Sequence, residues 1–234
     1  MSNTNFDYLF SKAKSLFNSN DLINALQLAE EAYKIVPESK KMELFEFFGG
    51  LYNNLQDKDK AIEFYKKALE KAIRDESKMS ILNKIALLYA GKKDIPKSIE
   101  YYEACLKIAE NINDLEKMMI ILKNLGKLYT KNKQYINGLR CHERSLALKR
   151  LAGDKLGEAQ NLRYIGQDYE ASGNYEIARD YYLKSLEIYE SIGNQEGIKK
   201  LSELLDNLDE LESEMEEEDL IDTWNAKYDE YDFF

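Results

Sequence analysis

The sequence predicts an all-α protein built from repeated pairs of helices, and three observations support this prediction. Only 2 prolines and 11 glycines interrupt the 234 residues, and long stretches are rich in Ala, Leu, Glu and Lys, which lose least on entering a helix. A pattern of small and aromatic residues recurs at intervals of 37, 40 and 40 positions. Short polar residues that favour helix starts recur in register with that pattern.

Each repeat has an apolar residue, then Gly or Ala, then a Tyr three residues later. A second small residue follows the first after twelve positions, and a large ring follows four positions further on. We expect the small residues to lie where paired helices cross closely, with the ring filling the space between neighbouring pairs. The first small residues are Gly49, Ala86, Gly126 and Gly166, and the rings are Tyr65, Tyr102, His142 and Tyr182. A divergent first copy has Ala13, Ala25, Ala29 and Ala32.

Polar residues at two positions of each repeat predict where the helices begin, because a short polar side chain can bond the free amides of a first turn. Asp21, Asp57, Asp94, Gln134 and Asn174 precede the second helices, and Asp114, Asp154 and Asn194 precede first helices. Gln134 is the poorest of these caps.

The pattern resembles the tetratricopeptide repeat family over residues 5–192. The segments NLGKLYTKNKQYINGLRCHERSLALKRLAGD and YIGQDYEASGNYEIARDYYLKSLEIYESIGN are similar to the forty-residue class found in Pins/LGN-type adaptors. The usual Trp near the start of each repeat is missing, and only Pro37 closes a repeat. The resemblance implies a right-handed superhelical solenoid of five helix pairs, whose first helices line a concave peptide-binding groove.

Three segments follow from this frame: five repeats over residues 1–193, a capping helix over 194–215, and an acidic-aromatic tail over 216–234. Beyond Asn194 the signature residues of the repeat are missing, since Asp206 and Asp209 stand in place of the Gly and Tyr. A helical apolar stripe remains, which is typical of the half-repeat that ends a solenoid. A short coiled-coil seam over residues 201–215 is the alternative.

The sequence predicts no catalytic residues, no metal site and no cofactor, because no nucleophile and base set, phosphate loop or zinc spacing is present. His142, the only histidine, is expected to be structural, and Cys105 and Cys141 are expected to be buried and reduced. The N-terminus is not a signal peptide, and no apolar run is long enough to span a membrane. We therefore expect a cytoplasmic protein that is not an enzyme.

Charge is divided sharply along the chain, with a net of −13 from residue 201 onward and +3 before it. Lysines spaced by four form a stripe on the first helix of the fourth repeat, on the face that the resemblance assigns to the groove. We expect an acidic protein or peptide partner there; a merely solvated lysine face is the alternative. The expected groove residues are Asn83, Lys84, Lys123, Asn124, Lys127, Lys131, Arg163 and Gln167. A chaperone-type carboxylate clamp is not predicted, because Tyr164 replaces its polar partner.

The acidic tail also carries large apolar residues, which a purely solvating tail would lack. Its expected docking motif is one helical face with Leu220, Ile221, Trp224 and Tyr228. The tail is expected to dock in its own groove, in that of a second copy or on another protein; a disordered solubility tail is the alternative.

The predicted function is an intracellular scaffold or adaptor whose groove binds an acidic or acidic-aromatic peptide, with its own tail as a competitor. One alternative is a self-assembling protein that exchanges tails between copies. Another is a peptide-sensing module that regulates a partner enzyme. Nucleic acid is not an expected partner, since the body is nearly neutral and the tail repels phosphate.

Overall fold

The computed structural model describes the backbone of residues 2–229 and the side chains of residues 5–214. In this part of the chain all regular structure is helical, so the prediction of an all-α protein is confirmed. The helices are α1 Ser2–Asn18, α2 Leu22–Tyr33, a 3-10 turn Glu38–Lys40, α3 Lys41–Asn54, α4 Lys58–Lys71, α5 Asp75–Gly91, α6 Ile95–Asn111, α7 Leu115–Lys131, α8 Tyr135–Leu151, α9 Lys155–Ala171, α10 Tyr175–Ser191 and α11 Gln195–Asp229.

Similar short joints connect most of these helices. After α5, the N–H groups of Lys93 and Asp94 bond the carbonyls of Ala90 and Tyr89, each at 3.0 Å, and so close the last helical turn. Lys93 takes a positive φ of 63°, and the Asp94 carboxylate then accepts the Lys97 amide at the start of α6. The same left-handed conformation occurs at Asn20, Gln56, Asn113, Lys133, Gly153, Gly173 and Gly193.

Most of the predicted helix caps are formed. The side chains of Asp21, Asp57, Asp94, Asp114, Asp154 and Asn194 each accept the backbone amide three residues further on. Gln134 makes no such bond, as expected of the poorest member. The prediction for Asn174 is wrong: its amide group bonds Ser172 instead and leaves the first turn of α10 without a side-chain cap.

The chain divides into two compact units, and the first unit comprises Met1–Ile121. It contains α1 to α6 and the beginning of α7. The predicted packing of rings on small residues is present: a Cβ atom added to Gly49 would lie only 2.6 Å from ring carbons of Tyr65. Ser98 donates its hydroxyl to the carbonyl of Ala86, so a polar residue is accommodated between the paired helices.

The second unit, Leu122–Phe234, contains most of α7 and the helices α8 to α11. Tyr182 packs against Gly166 as the repeat pattern predicts, and its side chain is fully buried. Helix α11 covers the last helix pair, because Leu201 and Leu208 are also fully buried, in one cluster with Tyr182 and Tyr189. A capping role for this helix remains a prediction.

Helix α11 is 35 residues long, whereas α5 to α10 have 17 residues each. It continues to Asp229 without a break at residue 215, where the sequence predicted the capping helix to end. Arg179 of α10 holds it laterally by bonding Asp209 and Glu212. In the described part of the chain, no helix combines the length and the apolar character that crossing a membrane requires.

Candidate functional site

The candidate site lies on the groove face of the second unit, which we define as the side where α7, α9 and α11 line two cavities. Helix α7 contributes Lys123, Lys127 and Lys131 at four-residue intervals, and α9 contributes Arg163 and Gln167. The structure therefore brings together five of the eight groove residues expected from the sequence. Their role in binding a partner remains a prediction.

Tyr164 occupies the centre of this face. Its ring stacks on the ring of His142, with centroids 5.2 Å apart and an interplanar angle of 23°. The Lys127 Nζ and the Arg163 Cζ lie 4.3 and 4.5 Å from its ring centroid. Burial alone would raise the pKa of Tyr164, but a hydrogen bond from Lys127 and the charges of Arg163 and Lys123 outweigh it, so the pKa is lowered.

On one side of Tyr164 is a cavity of about 440 Å³, which we call the apolar pocket. Ala171, Tyr175, Leu211 and the ring of Tyr164 form its walls. Its floor is polar, and Lys127, Lys131, Gln167 and Glu170 stand on its rim. The carboxylate of Glu170 accepts the hydroxyl of Tyr182, so this acidic rim residue already has a partner.

On the other side of Tyr164 is a cavity of about 410 Å³, which we call the polar pocket. Lys123 and Arg163 contribute positive charge to it, while Lys200 pairs with Glu196 of the same helix turn. The remaining lining residues are Leu156, Gln160, Tyr189, Asn194 and Gly197.

Apart from Lys200, the cations of this face have no acidic partner among the described side chains, in contrast to lysines of the first unit. In the first unit, Lys14 pairs with Glu43 and Lys84 pairs with Glu46. Among the side chains that the structure describes, no carboxylate lies within 4.0 Å of Lys123, Lys127, Lys131 or Arg163. The face thus has positive charge that no described carboxylate neutralises.

The other expected groove residues have different surroundings. Asn83 lines a cavity of about 280 Å³ in the first unit, together with Met79, Cys105 and Ile120. Lys84, also in the first unit, bonds Glu46. Asn124 is half-buried on α7. The tail motif of Leu220, Ile221, Trp224 and Tyr228 lies outside the residues whose side chains are described.

The floor of the apolar pocket contains a buried polar network that the sequence did not reveal. The His142 Nδ1 lies 2.7 Å from the Asp168 Oδ2, and the hydroxyl of Thr130 bonds the other carboxylate oxygen. The His142 Nε2 faces Gly126 and has no hydrogen-bond partner among the described groups. One signal was available: Asp168 occupies a repeat position that is Leu in Leu51, Leu88 and Leu128.

Cys105 and Cys141 are free cysteines that differ in burial. Cys105 is buried, its Sγ lies 3.5 Å from the Met79 carbonyl, and burial raises its pKa to about 11. The thiol is therefore protonated at neutral pH, and a protonated thiol is a weak nucleophile. Cys141 is half-buried rather than fully buried as expected. Within residues 5–214 no group of three or more His, Cys, Asp or Glu side chains is arranged to hold a metal ion.

Two family models, both of the tetratricopeptide repeat, match the chain. One covers residues 117–191 and the other covers residues 43–70 and 80–112, so together they span more than half of the sequence. They describe repeats and indicate no catalytic family. No curated protein sequence matches significantly.

Solved structures with similar folds include BtubC (BKLC) from P. vanneervenii, with a TM-score of 0.63, 21% identity and coverage of 78% of each chain. A signal transduction ATPase with a tetratricopeptide repeat sensor from Pyrococcus horikoshii has a TM-score of 0.65 and 21% identity. The match covers 82% of this chain and 31% of that one. Aspartyl phosphate phosphatase F from Bacillus subtilis has a TM-score of 0.62 and 16% identity. The match covers 94% of this chain and 63% of that one. At these identities the likeness shows the fold alone.

The repeat spacing, the close packing of rings on small residues and the helical joints agree with the two matched models. Proteins built from such repeats act as interaction scaffolds that bind protein or peptide partners. The chain belongs to the tetratricopeptide repeat family.

Proposed function

We propose that the chain is a scaffold whose groove face in the second unit binds an acidic segment of a protein partner. The observation that carries this proposal is the set of cations around Tyr164, namely Lys123, Lys127, Lys131 and Arg163, that have no carboxylate partner within residues 5–214. Lys123, Lys127 and Arg163 also lower the pKa of the Tyr164 phenol, as their positive charges require. An acidic ligand would meet this potential without first displacing an internal ion pair.

Exposed charge pairs contribute little individually, about 0.2–1 kcal/mol each. Several such pairs on one face guide an acidic ligand and select against a basic one, but they do not produce tight binding alone. Moderate affinity with strong salt dependence is therefore the expected behaviour, since about 1 M salt reduces the screening length to about 3 Å.

The test measures binding of a labelled synthetic peptide, residues 216–234 of this chain, to the full-length protein by fluorescence anisotropy. Changing Lys123, Lys127 and Lys131 together to Glu should weaken binding roughly tenfold or more, because three attractions become repulsions. The matched control changes Lys12, Lys34 and Lys107 to Glu; these are exposed lysines of the first unit, and none of them pairs with a carboxylate among the described side chains. Equal losses in both triple variants would contradict the proposal, since net charge would then explain the effect.

The same peptide is the chain's own tail, and the length of α11 limits how the tail would reach the groove face. Leu211 lines the apolar pocket, and the helix continues 18 residues further to Asp229. At about 1.5 Å per residue, this continuation carries the backbone some 27 Å along the axis. Docking in the same molecule therefore requires α11 to break after Leu211, whereas docking in a second copy does not.

Exchange of tails between two copies is thus the form of tail binding that α11 favours. Analytical ultracentrifugation over a range of concentrations tests it with the full chain and with a chain ending at Glu214. Association that is lost on truncation supports exchange. A full chain that stays monomeric while its tail is protected supports competition within one molecule.

A further inference from the structure

We infer that the two pockets flanking Tyr164 recognise a specific pair of groups, an aromatic side chain with a carboxylate close to it in sequence. The aromatic group enters the apolar pocket, and the carboxylate meets Lys123 and Arg163 in the polar pocket. This inference rests on the proposed function and adds to it a requirement for an aromatic anchor.

The apolar pocket has the size and walls of a side-chain site. Its volume of about 440 Å³ lies within the range of about 300–1,000 Å³ that is usual for ligand pockets. Ala171, Tyr175 and Leu211 present hydrocarbon and ring surface to it. Ala171 is exposed at the end of α9, so the small side chain leaves the entrance open.

The polar groups of its floor already have partners within the protein. Asp168 is bonded by both His142 and Thr130, and it is 2% exposed. Among the described polar atoms of His142, Asp168 and Thr130, the His142 Nε2 has no hydrogen-bond partner, and it is buried against Gly126. An apolar group can therefore cover this floor without removing a carboxylate from water, which is the usual cost of apolar contact with an acid.

The rim places positive charge beside this apolar space. Lys127 lies over the Tyr164 ring and lines the apolar pocket, while Lys123 and Arg163 stand in the polar pocket beyond the same ring. Since Tyr164 lines both pockets, a peptide crossing it presents neighbouring side chains to the two sites. Aromatic groups suit such a position because they bury a large area at low entropic cost.

The experiment compares three labelled peptides on the full-length protein: residues 216–234 unaltered, the same peptide with its five aromatic residues changed to Ala, and one with its acids changed to the amides. The five aromatic residues are Trp224, Tyr228, Tyr231, Phe233 and Phe234. The aromatic-free peptide keeps the charge and should bind at least tenfold more weakly than the unaltered one. The affinity of the amide peptide should no longer depend on salt concentration.

A pocket-filling variant, Ala171→Phe, locates the anchor. It should weaken binding of the unaltered peptide about tenfold and leave the aromatic-free peptide unchanged. Ala147→Phe is the matched control, because Ala147 is an exposed residue of α8 that lines neither pocket. If Ala171→Phe does not fold, as judged by circular dichroism, the comparison of peptides on the unaltered protein still tests whether binding requires an aromatic side chain.

Equal affinity of the unaltered and aromatic-free peptides would overturn this inference and leave the proposed function in place. Binding that is insensitive to reversal of Lys123, Lys127 and Lys131 would instead remove the proposed function itself. The two failures are therefore distinguishable.

Discussion

The His142 Nδ1 and the Asp168 Oδ2 lie 2.7 Å apart, and His142 and Asp168 are 0% and 2% exposed. They join the second helix of the fourth repeat to the first helix of the fifth. The equivalent pair between the second and third repeats is Tyr65 and Leu88. After the fifth repeat, the equivalent pair is Tyr182 and Leu208. The fourth and fifth repeats have thus exchanged an apolar contact for a buried polar one.

This relationship predicts strong coupling between the two positions. His142→Phe should lower the free energy of unfolding by about 3 kcal/mol, because it leaves a buried carboxylate with Thr130 alone. Adding Asp168→Leu should recover most of that loss, since the double variant restores an apolar pair. Urea unfolding of the single and double variants measures the interaction energy. Additive losses would show that the two side chains are independent.

The second prediction concerns the capping role of α11. A chain ending at Asn194 loses Leu201 and Leu208, both fully buried, and should lose about 3 kcal/mol or more of unfolding free energy. A chain ending at Met215 keeps both residues and the bonds from Arg179, so its melting temperature should hardly change. Thermal unfolding by circular dichroism compares the two truncations. If the shorter chain melts like the full-length chain, α11 is not a cap.

The third prediction follows from the lowered pKa of Tyr164. Lys127→Ala removes the hydrogen bond and the nearest charge, so burial should then dominate and raise the pKa. NMR titration of ring-labelled tyrosine measures this change, and Lys107→Ala is the control. An unchanged Tyr164 titration in Lys127→Ala would contradict the assignment.

The lowered pKa also has a consequence for stability. A phenol whose pKa is lower in the folded chain than the ordinary 10.0 favours folding in its ionised form. This contribution is fully present above the ordinary pKa and is lost as pH falls through the folded pKa. Buried tyrosines with a raised pKa, such as Tyr65 and Tyr182, oppose this gain, so the quantity to measure is a difference. The stability advantage of the unaltered protein over Lys127→Ala should grow with rising pH in the alkaline range.

The fourth prediction uses Trp224, the only tryptophan, as a reporter of the tail. In low salt its emission should be blue-shifted and protected from quenchers, because the docked indole leaves water. High salt should shift the emission to the red, and so should reversal of Lys123, Lys127 and Lys131 to Glu. A blue shift that grows with protein concentration indicates exchange between copies. Emission of a solvated indole under all these conditions would rule out docking on either copy.

Local and periodic features were predictable from the sequence. The joints and the caps at Asp94 and Asn194 depend on residues within one helical turn, so the residues adjacent in sequence suffice to predict them. The packing of Tyr65 on Gly49 depends on a spacing that every repeat shares, and repetition reveals it. Asn174 shows where this reasoning fails, because a nearby Ser172 competed for the same side chain.

The sequence by itself determined the helices, their order, the family and the lysine stripe of α7. Only the tertiary structure decided that Asp168 is buried beside His142, that Tyr164 separates two pockets, and that Leu211 lines one of them. These contacts join residues that are 26 or more positions apart or belong to different helices. In the sequence, Asp168 differs from a solvated helix residue only by occupying a repeat position that is Leu in the three preceding repeats. Burial and pairing depend on which helix faces pack together, and a pattern of neighbouring residues does not contain that information.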